Sequence, residues 1–120
     1  RNANQYSLSE IAKKTRALVE NARAGKLSGD DASGAVFSIT NLGMYNVETF
    51  HAIIHAPESA ILAVGTVMEK PAVRQGKVVP AKRVSLTLSC DHRVVDGVIA
   101  AQFLGYLKTL LEDGRTLGLR

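Results

Sequence analysis

A histidine, three residues, an aspartate and a glycine stand together in the run Asp91-His92-Arg93-Val94-Val95-Asp96-Gly97. An imidazole can serve as a base near neutral pH, and a carboxylate four positions on can orient it or charge its surroundings. An alternating segment precedes the run and an amphipathic one follows, so His92 belongs at the end of a strand and the start of a helix. The free amides of such a helix N-terminus favour negative charge, which suits a thiolate or an oxyanion. Two plainer readings stay open: Asp96 as a simple helix cap, and His92 as a hydrogen-bonded residue at a strand end. His51 and His55 are also four apart, but they lie in a segment without helical period and no thiol or carboxylate pattern completes a metal site.

The elements that must position these residues follow from periodicity. Ser7-Leu8-Ser9-Glu10 has capping-box form, and Leu8, Ile11, Ala12, Leu18, Val19 and Ala22 then recur at helical spacing, with Gly25 as the stop. Residues 26–34 read as a loop. Ala35 to Thr40 reads as a short strand, and Asn41-Leu42-Gly43 as a turn. From Tyr45 to Glu58 no period emerges and Pro57 marks an irregular connection, before the apolar run Ala60 to Val67 that predicts a buried strand. Val73 to Val79, around Gln75-Gly76-Lys77, predicts a hairpin. Val84, Leu86, Leu88 and Cys90 then alternate with Ser85, Thr87, Ser89 and Asp91, giving a strand with one dry and one polar face. A final helix carries Val98, Ile99, Ala101, Phe103, Leu104, Leu107, Leu110 and Leu111, with Asp96 and Gly97 at its start. Helices and strands alternate in this reading, which makes an α/β sandwich the expected architecture.

A chain of 120 residues is one domain or part of one, and it supports a modest core with little left over for a deep pocket. The net charge of +4 is spread without a dense basic cluster or interleaved aromatics, which argues against nucleic acid; a few cations remain available for the phosphates of a small anionic ligand. Cys90 is alone, so no intrachain disulfide forms and a reducing compartment is expected. No apolar run reaches a membrane span, and the N-terminus lacks a signal-peptide layout.

Three segments, taken in order, carry a family resemblance: SLSEIAKKTRALVENARAGKLS, FSITNLGMYNVETFHAIIHAPESAILAVG, and VSLTLSCDHRVVDG with its following helix. Together they resemble the dihydrolipoamide acyltransferases, the core components of the 2-oxo acid dehydrogenase complexes. The HxxxDG pattern alone is shared with chloramphenicol acetyltransferase and other coenzyme A-dependent relatives. The resemblance implies a chloramphenicol-acetyltransferase-like two-layer α/β sandwich with a mixed sheet. It also implies transfer of an acyl group, acetyl by the look of Asn41-Leu42-Gly43-Met44, between a dihydrolipoyl thiol and coenzyme A. On this resemblance His92 is the general base and Thr40 the hydroxyl that donates to the tetrahedral oxyanion. Asp96 orders the His92 loop, and Asn41, Gly65 and Val67 fall at the coenzyme A channel. For Thr40 an ordinary strand residue is the alternative, and for Gly65 and Val67 it is core packing.

The same resemblance implies a homotrimer with the active site between subunits, one giving the histidine and the next the hydroxyl. Larger core assembly would proceed through a hydrophobic C-terminal tail, here the short Leu117-Gly118-Leu119-Arg120. Implied partners are the decarboxylase and dihydrolipoamide dehydrogenase components, in a bacterial cytoplasm or mitochondrial matrix, with the lipoyl group carried on a separate domain. Residues 1–120 correspond to the C-terminal portion of the catalytic domain, without lipoyl or peripheral-subunit-binding modules, so poor isolated activity is expected. Two competing functions remain: a non-catalytic structural core scaffold, and a chloramphenicol-acetyltransferase-like enzyme acting on a small alcohol.

Overall fold

The computed structural model describes residues 2–31 and 33–114. The chain divides into two compact units, Arg1–Ala35 and Val36–Arg120. The tail Leu117 to Arg120 and the cations Arg115 and Arg120 lie outside the described residues.

The first unit is built on helix α1 (Leu8–Arg23). Its start is fixed locally: the Ser7 side chain accepts from the Glu10 amide while the Glu10 carboxylate accepts from the Ser7 amide at 2.8 Å, the reciprocal box read from the sequence. Its end is equally local. Gly25, at φ 66°, lets the chain turn back so that the Lys26 amide reaches Asn21 O at 2.8 Å and the Gly25 amide reaches Ala22 O at 3.1 Å. These are the two bonds of a Schellman ending, for which an L side chain at Gly25 would be strained. Leu8, Ile11, Leu18 and Val19, the predicted apolar stripe, are exposed.

The second unit carries the sheet. Strand β1 (Phe37–Asn41) pairs in parallel with β2 (Ala60–Val64), and β2 pairs antiparallel with β5 (Leu86–Cys90), a mixed three-stranded sheet in the order β1-β2-β5. Strands β3 (Met68–Arg74) and β4 (Lys77–Arg83) form a separate two-stranded hairpin. Gln75 and Gly76 both have positive φ, as a two-residue hairpin turn that matches the strand twist requires. Helix α2 (Gly97–Glu112) lies against the sheet, where the Phe103 ring meets Phe37 with centroids 5.8 Å apart. Ala60, Ile61, Leu62 and Ala63 of the central strand form the buried core.

Several expectations are corrected. Among the described residues five strands, broken only by a short 3-10 turn at Gly43–Tyr45, lie between the two α-helices, so α-helices and strands do not alternate, although helix and mixed sheet still form two layers. The first strand occupies Phe37–Asn41 rather than 35–40. The apolar run is a strand only to Val64: the Gly65 amide still bonds to Ser85 O in the β2–β5 register, but the Thr66 amide leaves the ladder for Val47 O. The hairpin extends from Met68 to Arg83, well beyond 73–79. Finally, β5 is half-buried at every position, so its polar face is not simply solvated.

Candidate active site

His92 lies in the tight turn that joins β5 to α2, and its side chain is exposed. The turn is held from both sides. Asp91 extends the β2–β5 ladder by one bond, from its amide to Ser59 O at 2.9 Å, and its carbonyl accepts from the Val94 and Val95 amides, each at 2.9 Å. The Asp91 carboxylate takes the Arg93 side chain in a forked pair, with Nε at 3.0 Å and a terminal nitrogen at 2.6 Å, and also accepts from the Arg93 amide at 3.0 Å. These hydrogen bonds from the Arg93 side chain and amide hold the Asp91 carboxyl down at about 2. Sequence reasoning did not single out Asp91 or Arg93, though an Asp-x-Arg pair flanking a candidate base was visible in the chain.

Asp96 is the N-cap of α2, its carboxylate accepting from the Ile99 amide at 2.8 Å. Its structural contribution is therefore to stop the turn and start the helix, the plainer of its two readings, and through that it fixes the exit from the His92 turn.

Thr40 sits near the other end of the sheet. It is opposite Ala63 on β2, and Ala63 is opposite Thr87 on β5, whereas His92 follows Cys90, which is level with Ala60 and Phe37. Two strand spacings separate β1 from β5, about 10 Å, and three residues separate the Thr40 row from Cys90, about another 10 Å. A base and a group sharing its reaction must come within about one hydrogen bond or one small reacting group of each other. The structure therefore does not bring Thr40 and His92 of one chain together.

Around the Thr40 end the backbone is closely packed. The Asn41 side chain accepts from the Gly43 amide at 2.8 Å and so shapes the turn after β1. Gly65 is buried, and a Cβ there would lie 1.9 Å from Glu48 O, a close backbone approach that only glycine allows. Val67 is 63% exposed, so core packing is not its role. Thr66, between them, contributes to a cleft of ≈ 590 Å³ whose wall also includes Lys70, Lys82, Arg83, Leu104 and Lys108. Lys70 pairs with Glu48 and Lys108 with Glu112, leaving Lys82 and Arg83 without an ion-pair partner among the described residues.

Glu58 was not foreseen. It is buried, its Oε1 is 3.8 Å from His55 Nδ1, and its Oε2 has no partner among the described residues. No group of three or more His, Cys, Asp or Glu side chains among the described residues could hold a metal ion. No helix among them is long and apolar enough to cross a membrane.

Comparison with known proteins places this geometry. The family of 2-oxoacid dehydrogenase acyltransferases (catalytic domain) matches residues 1–119. The chain is 39% identical over 113 residues to the dihydrolipoyllysine-residue acetyltransferase component of the pyruvate dehydrogenase complex of Rickettsia conorii, covering 94% of this chain and 27% of that protein. It is 41% identical over 113 residues to the succinyltransferase component of the 2-oxoglutarate dehydrogenase complex of Haemophilus influenzae, covering 94% and 28%. Among solved structures it resembles the dihydrolipoamide acetyltransferase of Azotobacter vinelandii, with TM-score 0.90 and 42% identity over 98% of this chain and 48% of that one. The chain thus spans about a quarter of the length of these curated relatives and about half of the solved one. Fold and sequence agree, and the chain belongs to the acyltransferase family of the 2-oxoacid dehydrogenases.

Proposed function

We propose that this chain carries two halves of an acyltransferase site that passes an acetyl group between a dihydrolipoyl thiol and coenzyme A, and that each working site joins His92 of one copy to Thr40 of another. One observation carries the assignment of residues. The catalytic mechanism of the Azotobacter vinelandii enzyme has been investigated through a serine, a histidine and an asparagine; the serine precedes the histidine by 52 positions and the asparagine follows it by 4. Thr40, His92 and Asp96 repeat both intervals, with a hydroxyl kept at the first and a short polar side chain at the third. The sheet register supports the division between copies, since Thr40 and His92 stand at opposite ends of one sheet.

The chemistry follows from thiol acidity. A free thiol has a pKa of about 8.5, so at neutral pH it is mostly protonated and a weak nucleophile. His92 takes the thiol proton and the thiolate attacks the thioester carbonyl. The new C–S bond moves an electron pair onto oxygen, which accepts a hydrogen bond from the Thr40 hydroxyl. Collapse of this tetrahedral species breaks the old C–S bond, and the departing thiolate regains a proton from His92. Asp91, Arg93 and Asp96 hold the turn on which the imidazole sits. Asn41, Gly65 and Val67 belong to the coenzyme A side, and Lys82 and Arg83 on the cleft beside Thr66, without an ion-pair partner among the described residues, suit its phosphates.

A site shared between copies needs an oligomer, and the family resemblance supports a homotrimer that serves as the core of a complex with decarboxylase and dihydrolipoamide dehydrogenase partners. A reducing compartment, bacterial cytoplasm or mitochondrial matrix, suits the free Cys90. The test is acyl transfer from acetyl-coenzyme A and succinyl-coenzyme A to dihydrolipoamide by the assembled protein. Acetyl transfer that disappears in His92→Ala supports the proposal. Transfer that survives the substitution removes His92 from the mechanism, and assembly without transfer by the wild type turns the reading to the scaffold.

A further inference from the structure

In a sheet, residues directly opposite one another point to the same face and successive residues alternate. The register therefore puts Phe37, Leu62, Leu88 and Cys90 on the face that α2 covers, as the Phe37–Phe103 contact shows. The other face carries Ser38 and Thr40 from β1, Ile61 and Ala63 from β2, and Thr87 and Ser89 from β5. On this face four hydroxyls flank a central strip that is 8% exposed at Ile61 and 2% at Ala63. All four hydroxyl-bearing residues are half-buried, and none of their hydroxyls has a hydrogen-bond partner among the described residues.

Half-buried hydroxyls without a protein partner are open to water, and a polar ligand can take that water's place. Thr87 is in the same row as Thr40, on the far side of the small Ala63, so the two hydroxyls face one side about 10 Å apart. A ligand reacting at Thr40 and extended toward β5 would bring its next polar groups to Thr87 and Ser89.

We propose that this hydroxyl face is a binding wall for the amides of a thiol-bearing arm, with Thr87 and Ser89 as binding residues additional to Thr40. The proposal rests on the acyl-transfer reading of Thr40. Both thiol substrates of that reaction carry amides behind the thiol, the pantetheine arm of coenzyme A and the amide of dihydrolipoamide, and the wall recognises that shared chemistry.

Steady-state acyl transfer by the assembled enzyme tests it, with KM measured separately for coenzyme A and for dihydrolipoamide. Thr87→Val keeps the shape and removes the hydroxyl; a lost neutral hydrogen bond predicts a KM rise of about 3- to 10-fold for the arm that lies on the wall, with kcat within about twofold. Which KM rises identifies the arm. Ser89→Ala adds to the rise and Thr87→Ser restores the wild-type value. If Thr87→Val does not fold, Ser89→Ala and Thr87→Ser carry the same comparison. Unchanged KM for both substrates, or Thr87→Ser as damaging as Thr87→Val, overturns the wall. Failure of the underlying reading looks different: Thr40→Val then leaves kcat intact. In that event, calorimetric binding of coenzyme A and of dihydrolipoamide to Thr87→Val still decides the wall.

Discussion

The two ends of the three-stranded sheet are organised in different ways. At the β5 end, the His92 turn is tied by bonds among residues close in sequence: Asp91 to Arg93, Val94 and Val95, and Asp96 to Ile99. At the Thr40 end, the fit is between segments distant in sequence, where Gly65 meets the Glu48 backbone and the Thr66 amide meets Val47. The first end can hold its shape from local sequence. The second exists only when the sheet and the connection after β1 are assembled. A reaction drawing one group from each end cannot take both from the same chain, which is why the proposed site needs the complete fold and a second copy.

The most severe way to break this comparison is to remove the base. His92→Ala should lower acyl transfer by about 10²- to 10⁴-fold while the unfolding midpoint stays at the wild-type value. Mixed oligomers sharpen the result: co-assembled His92→Ala and Thr40→Val chains should regain part of the activity, because some interfaces pair an intact His92 with an intact Thr40. Co-assembled mixtures no more active than either variant alone would mean that both groups act from one chain. Thr40→Val should cost about 10²-fold or somewhat more in kcat with little change in KM, the loss expected for one oxyanion donor.

Stability separates the two ends further. Gly65→Ala should destabilise by about 1–3 kcal/mol in a denaturant titration, since its methyl group meets backbone rather than a movable side chain. A wild-type midpoint would show that the connection at Glu48 yields easily. Asp96→Ala should cost about 1 kcal/mol as a lost helix cap, and Asp96→Asn much less. Equal losses for the two would place the effect in the charge rather than in the hydrogen bond.

The smallest effect concerns acid. Because Arg93 lowers the Asp91 carboxyl from 3.8 to about 2, its stabilisation is fully present above the unfolded value and fades as pH falls through the folded one. The group is at the surface, so the contribution is modest. Arg93→Gln should flatten that part of the acid-unfolding profile; curves that superimpose in acid would show that the pair adds nothing to the turn.

Features bounded by local chemistry were legible in the chain. The capping box at Ser7, the Gly25 stop and the Asp96 helix start each depend on residues within a few positions, and each is formed as read. Strand limits were less legible. Nothing in the composition of Ala60 to Val67 shows that the strand ends at Val64, because that is decided by the approach of Val47 and Glu48 from the connection after β1. The polar alternation of β5 was visible, but its half-burial was not, since burial depends on what lies across the sheet.

The candidate site divides in the same way. The sequence by itself determined which groups are present, the imidazole, its flanking carboxylates and a hydroxyl 52 positions upstream, because chemical identity and spacing are properties of the chain. Only the tertiary structure decided that Thr40 and His92 stand at opposite ends of one sheet, and that Thr40 shares its face with Thr87 and Ser89. The reason is register: parallel pairing of β1 with β2 and antiparallel pairing of β5 fix which residues are neighbours, and those pairings join segments too far apart in sequence for any local pattern to specify.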